Sequence, residues 1–129
     1  MKIEHIALWT DDLEKLKAFY EEYFGGKSGT KYMNPESGFE SYFIMFDGGA
    51  RLELMRQPMV LSHPGENGRQ YLGYAHMAFS VGSSEAVDSL TERLYKDGYE
   101  VISGPRTTGD GYYESCILDP DGNRVEITG

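Results

Sequence analysis

Two histidines and two glutamates stand at matching places in this 129-residue sequence. His5 opens His5-Ile6-Ala7-Leu8, and His76 opens His76-Met77-Ala78-Phe79 about 71 residues later. Glu53 lies in Arg51-Leu52-Glu53-Leu54 and Glu126 in Arg124-Val125-Glu126-Ile127, each behind an Asp/Gly-rich turn. Imidazole nitrogen and carboxylate oxygen together suit a divalent cation such as zinc, nickel, iron or manganese. A carboxylate beside such an ion is also placed to move a proton. A His-then-Glu order stated twice at nearly the same interval looks like a duplicated module.

The elements that must position these residues repeat in the same order. Residues 3–9 read as a strand. A helix follows, with Asp11 and Glu14 resembling a capping box, a stripe of Leu13, Leu16, Phe19 or Tyr20, and Tyr23, and a stop at Gly25-Gly26. Residues 27–33 form a weaker strand candidate, and 40–46 with 50–56 read as a hairpin across Asp47-Gly48-Gly49. Residues 57–73, rich in Pro and Gly, read as a linker containing His63. Beyond it come a strand at 74–81 and a helix at 84–97 capped by Ser83 or Ser84, with Val87, Leu90 and Leu94 as its stripe. A strand at 99–103, a loop from Gly104 to Gly111, and a hairpin of 112–118 with 123–128 complete the repeat.

Strand alternation decides what the four residues can do, because neighbouring side chains point to opposite faces. His5 lies opposite Ile6 and Leu8, Glu53 opposite Leu52 and Leu54, His76 opposite Met77 and Phe79, and Glu126 opposite Val125 and Ile127. Each strand thus has an apolar side for a helix to cover and a polar side away from it. Curved sheets with helices outside would put all four groups on the concave side. Trp9 shares the face of His5, where it either lines an apolar or aromatic pocket or packs in the core.

The totals narrow the alternatives. The formal charge of −9, from 21 acidic and 12 basic residues, disfavours a nucleic-acid surface. One cysteine, Cys116, excludes an intrachain disulfide framework, and its strand context suggests an inert core thiol without a basic neighbour. No apolar run reaches membrane-spanning length and no signal-peptide core is visible, so a cytoplasmic location is expected. The loop 104–111 lacks the Gly-Lys-Ser/Thr ending of a phosphate-binding loop.

These residues resemble the vicinal oxygen chelate superfamily, which includes glyoxalase I, fosfomycin-resistance proteins, extradiol dioxygenases, methylmalonyl-CoA epimerase and bleomycin-resistance proteins. The resemblance rests on His5, on Glu53 in Arg-Leu-Glu-Leu, on His76 in Gly-Tyr-Ala-His-Met-Ala-Phe, and on Asp-Pro-Asp-Gly-Asn-Arg-Val-Glu-Ile leading to Glu126. It implies an α+β fold of two tandem βαβββ modules, about 1–56 and about 74–129, forming a curved mixed sheet around a metal-binding cup. The His, Glu, His, Glu set is the arrangement of bacterial glyoxalase I. By that likeness His5, Glu53, His76 and Glu126 would hold one divalent ion, zinc or nickel first, with manganese, cobalt or iron as alternatives.

The activity implied is that of a metal-dependent isomerase or lyase. Glu126 first and Glu53 second would shuttle a proton through a metal-bound enediolate, on the model of methylglyoxal–glutathione hemithioacetal going to S-lactoylglutathione. A homodimer binding a small molecule is implied too, with the site formed within one chain or shared across the dimer. Two departures concern substrate binding: Trp9 stands where glyoxalase I usually has Arg, and Gln57 where it has Asn. Arg106 is then a candidate for supplying charge to the substrate, as are Arg51, Arg56 and Arg124. The alternatives are a dioxygenase, epimerase or thiol transferase on the same fold, or a non-catalytic resistance protein that sequesters a small molecule.

Overall fold

The computed structural model describes residues 1–62, 70 and 72–129. The chain divides into two compact units, Met1–Pro64 and Gly65–Gly129. Both are built on one plan: strand, helix, then strands that close back onto the first.

In the first unit β1 (His5–Trp9) leads into α1 (Leu13–Phe24), followed by β2 (Lys27–Ser28), β3 (Tyr32–Asn34), β4 (Phe39–Met45) and β5 (Arg51–Arg56). The helix is capped by Asp12, whose side chain accepts the Lys15 N–H at 3.0 Å, one residue later than the expected Asp11. The reason is local: Thr10 Oγ1 takes the Asp12 N–H at 3.1 Å and sets the approach of the chain. At the other end Gly25 adopts φ 66°, the left-handed form that stops a helix. Its neighbour Gly26 is required for space, since a Cβ there would sit 2.5 Å from Ile44 Cγ2. Leu13, Leu16, Phe19 and Tyr20 are buried, and the helix packs on β4 and β5, which supply buried Ile44, Leu52 and Leu54. Each such side chain contributes about 1.5–3 kcal/mol on full burial. The expected strand at 27–33 is in fact two short pieces, each pairing antiparallel with β4.

The second unit repeats the plan with β6 (His76–Ser80), α2 (Ser84–Lys96), β7 (Val101–Thr107), β8 (Tyr113–Leu118) and β9 (Arg124–Thr128). Ser83 caps α2 by accepting the Ala86 N–H at 3.1 Å. Val87 and Leu94 face a core made with Met77, Ile117, Val125 and Ile127, whereas Leu90 is only half-buried and Thr91 takes the buried place beside it. β7 runs on to Thr107, through residues expected to be a loop. Its pairing with β8 shifts register between Ser103 and Arg106, and that irregularity accommodates Pro105, which has no N–H to give to a ladder. The remaining turn is short and closes on Thr108, whose N–H donates to the Tyr112 carbonyl at 2.8 Å.

Both sheets place the first and last strands of their unit side by side. The first runs β1-β5-β4-β2, with β3 also on β4, and the second runs β6-β9-β8-β7. Pairs β1–β5 and β6–β9 are parallel; all other pairings are antiparallel. Two mixed sheets, each with a helix on one face, give the α+β architecture.

Candidate metal-binding and proton-transfer site

The parallel pairs bring each histidine to its glutamate. In β1–β5 His5 stands opposite Arg51 and Ala7 opposite Glu53. In β6–β9 His76 stands opposite Arg124 and Ala78 opposite Glu126. Side chains two residues apart on one strand share a face, so imidazole and carboxylate meet on a diagonal between adjacent strands. His5 Nε2 lies 3.7 Å from Glu53 Oε2, and His76 Nε2 lies 3.2 Å from Glu126 Oε2. The imidazoles keep 40% and 42% of their side-chain surface open, whereas the carboxylates keep 15% and 23%. Both pairs therefore offer an accessible ring over a largely covered acid.

Their surroundings differ. His5 Nδ1 bonds to Glu4 Oε2, and Glu4 Oε1 takes a hydrogen bond from Arg51. The His5 ring meets Phe43 edge-on at 5.5 Å, and Phe43 itself stands opposite Glu53 on β4. Glu4 and Phe43 were not among the expected site residues. Glu4 adjoins His5, but strand alternation argues against contact between neighbours. Phe43 required knowing that β4 lies beside β5 in this register. In the second unit the turn before β9 is tied by buried Asp119, which accepts the N–H groups of Asp121 and Asn123 at 3.0 and 2.9 Å. That turn fixes where Arg124 and Glu126 begin.

The other candidates scatter. Trp9 is 44% exposed on the His5 face and meets Phe39 edge-on at 6.2 Å, so it is not a core residue. Gln57 is half-buried just past β5, its carbonyl accepting the Val60 N–H at 3.1 Å. Arg106 is exposed on β7 opposite Glu114, two strands from the β9 that carries Glu126 and three from the β6 that carries His76, so at least about 10 Å from the first and farther from the second. Arg51 is taken up by Glu4 and lies 4.2 Å over the Phe43 ring, and Arg56 pairs with Glu40 at 3.0 Å. Tyr113 donates to Asp88 at 2.7 Å and belongs to the helix side. His63 lies outside the described residues. Cys116 is buried opposite Glu126, and burial pushes its thiol up; a hydrogen bond with Arg124 pulls the other way and is the weaker influence. The expectation that it has no basic neighbour is therefore corrected: β8–β9 pairing brings Arg124 to it.

Within either unit, no group of three or more His, Cys, Asp or Glu among the described residues is arranged to hold a metal ion. The donors present nevertheless fit a divalent ion. His5 meets the Glu4 carboxylate at Nδ1 and faces a second carboxylate, Glu53, at Nε2; a proton on Nδ1 would leave the Nε2 lone pair toward Glu53. Two acceptors face each other, and a cation between them satisfies both. No helix among the described residues is long and apolar enough to cross a membrane.

Comparison with known proteins agrees with this layout. Residues 2–127 match the model of the Glyoxalase/Bleomycin resistance protein/Dioxygenase superfamily. The uncharacterized protein YqjT of Bacillus subtilis (strain 168) is 30% identical over 128 residues, covering 97% of this chain and 96% of its own length. A lactoylglutathione lyase of Neisseria meningitidis (serogroup A) is 27% identical over 129 residues, with 98% and 89% covered. Among solved structures, the lactoylglutathione lyase of Agrobacterium tumefaciens superposes with a TM-score of 0.69 at 28% identity, over 98% of this chain and 91% of that one. With the repeated units and their matched His–Glu pairs, these likenesses show that the chain belongs to the glyoxalase/bleomycin resistance protein/dioxygenase superfamily.

Proposed function

We propose that the chain is a metal-dependent isomerase or lyase of the glyoxalase type, with His5, Glu53, His76 and Glu126 as one ligand set. The observation that carries this reading is the repetition of one diagonal. The same register sets an imidazole beside a carboxylate in both units, at 3.7 and 3.2 Å. A surface pair of no consequence has no reason to be repeated with its neighbours, Ala7 and Ala78, unchanged. The four donors would come together from the two units of one chain or from two chains of a homodimer in the cytoplasm.

A divalent ion, zinc or nickel first and manganese, cobalt or iron as alternatives, supplies a Lewis acid that loosens a hydrogen on the carbon beside a carbonyl. The residues do the rest. Glu126, with Glu53 as the second candidate for the same role, takes that proton from one carbon and returns it to the neighbouring carbon. No atom is gained or lost, as an isomerisation demands. His5 and His76 serve as neutral nitrogen ligands and keep the carboxylates in place. Trp9, Gln57 and Arg106 are the candidates for contact with the rest of the substrate. The first substrate to test is the methylglyoxal–glutathione hemithioacetal, going to S-lactoylglutathione, because relatives over nearly the full chain carry the name lactoylglutathione lyase.

One observation favours a second reading. Trp9, Phe39 and Tyr32 form an aromatic run in the first unit, at 6.2 and 6.0 Å between rings, with Trp9 and Tyr32 open to solvent. Such a run suits a protein that sequesters a flat organic molecule.

Metal analysis of the purified protein, followed by hemithioacetal assays with each metal added back, separates the readings. Turnover that falls by about 10²–10⁴-fold in Glu126→Gln and in Glu53→Gln supports the proton shuttle. Metal uptake without turnover directs the search to the other superfamily chemistries, dioxygenation, epimerisation or thiol transfer. A protein that takes up no metal under any loading is the binder.

A further inference from the structure

Among the described residues, His5 is gripped in a way that His76 is not. Glu4, one residue ahead of β1, reaches His5 Nδ1 with one carboxylate oxygen and Arg51 with the other. The Glu4 carbonyl also accepts the Arg51 N–H at 3.0 Å, so backbone and side chain of Glu4 are both tied to the first residue of β5. Phe43 closes on the ring edge-on, with an interplanar angle of 87°. The imidazole is thus held at Nδ1 by an acid and at its side by an aromatic, with Nε2 left facing Glu53. The residue before His76 is Ala75, which brings no carboxylate.

We propose that Glu4 is a positioning residue for His5: it holds the ring in the Nδ1–H tautomer and aims the Nε2 lone pair at the Glu53 side, with Arg51 holding Glu4. An ionised carboxylate only accepts; Glu4 is within hydrogen-bond reach of Nδ1, whereas Glu53 at 3.7 Å is beyond it at Nε2, so the single proton of the neutral ring belongs on Nδ1 and the lone pair on Nε2. Carboxylates that hold the far nitrogen of a ligating imidazole typically matter by 10–100-fold in metal affinity. The proposal rests on the reading of His5 as a ligand. It makes the two units unequal: one imidazole is set before the ion arrives, and the other is oriented by Glu126 alone among the carboxylates described here.

The test uses the full chain labelled with ¹⁵N and free of metal. Long-range proton–nitrogen spectra at about pH 8, where an ordinary imidazole is neutral, report which nitrogen carries the proton. The expected result is the Nδ1–H form at His5 in the wild type. Glu4→Gln should keep it, since the amide oxygen still accepts, and Glu4→Ala should lose it, with His76 unchanged in all three. Zinc affinity by chelator competition should then fall about 10–100-fold in Glu4→Ala and less in Glu4→Gln. An Nε2–H form in the wild type, or a His5 spectrum indifferent to Glu4→Ala, overturns the proposal. A tautomer that responds as expected in a protein that never takes up zinc upholds the positioning and overturns the ligand reading alone.

Discussion

Ala7 stands directly opposite Glu53 in the parallel pair β1–β5, two residues along the strand from His5 and on the same face. A longer side chain at this position would crowd the Glu53 carboxylate on the face where it approaches the imidazole. Ala7→Leu should weaken zinc binding about tenfold, by analogy with the loss of a supporting contact at a ligand. Because Ala7 is exposed, the thermal midpoint should stay within a few degrees of wild type. Chelator competition and a melting curve read the two effects separately.

Beneath the helix of the second unit, Thr91 and Ser115 share a buried hydrogen bond of 2.6 Å. The Thr91 hydroxyl already donates to the Val87 carbonyl at 2.6 Å, so the Ser115 hydroxyl must be the donor between them. Thr91→Val keeps the shape and strands that donor, 1% exposed, at a cost of about 1–3 kcal/mol. Adding Ser115→Ala should recover part of the loss. Urea unfolding of the single and double variants measures both numbers.

Gly104 has a different constraint. Its φ is 79°, and a Cβ would sit 2.5 Å from the Glu114 carbonyl oxygen and 2.9 Å from Ser115 Cα. Those are backbone atoms of the neighbouring strand, with no flexible end to move aside. Gly104→Ala should destabilise the protein by at least about 1–3 kcal/mol, the range for a residue forced into this region. A drop in thermal midpoint checks it, and an unchanged midpoint refutes the register drawn for β7.

Cys116 should be slow to alkylate in the folded protein. Burial disfavours its thiolate more than Arg124 favours it, so its thiol is raised and stays protonated beyond the pH at which a free cysteine ionises. The rate of iodoacetamide labelling should therefore climb later with rising pH than it does for the chain unfolded in guanidinium. Equal rates in the two states would contradict the burial described here.

Much of this was legible from alternation alone. Glu53, His76 and Glu126 each sit between apolar neighbours and His5 is followed by one, and in the structure the apolar faces of these strands supply the core: Leu52, Leu54, Met77, Val125 and Ile127 are buried. What alternation does not contain is which strand lies beside which. The parallel pairing that joins His5 to Glu53 spans most of a unit, and the Arg124–Cys116 contact depends on β8–β9 register. Local rules failed where a neighbour overrode them. Asp12 rather than Asp11 caps α1 because Thr10 positions it, and β7 continues past Pro105 because a bulge absorbs the missing N–H. For Trp9 alternation allows pocket or core alike, and its exposure depends on which residues β4 brings to the same face.

The donor pairs sit on the opening and closing strands of each unit, so imidazole and acid are neighbours in space only after everything between them has been laid down. Contacts of such long sequence separation form late, since the chain must close a large loop before they reward it. On the proposed ligand reading, an unfinished unit would hold only one member of its donor pair. Uptake of an ion would then act as a proofreading signal, rewarding only those chains whose final strand has zipped into its groove.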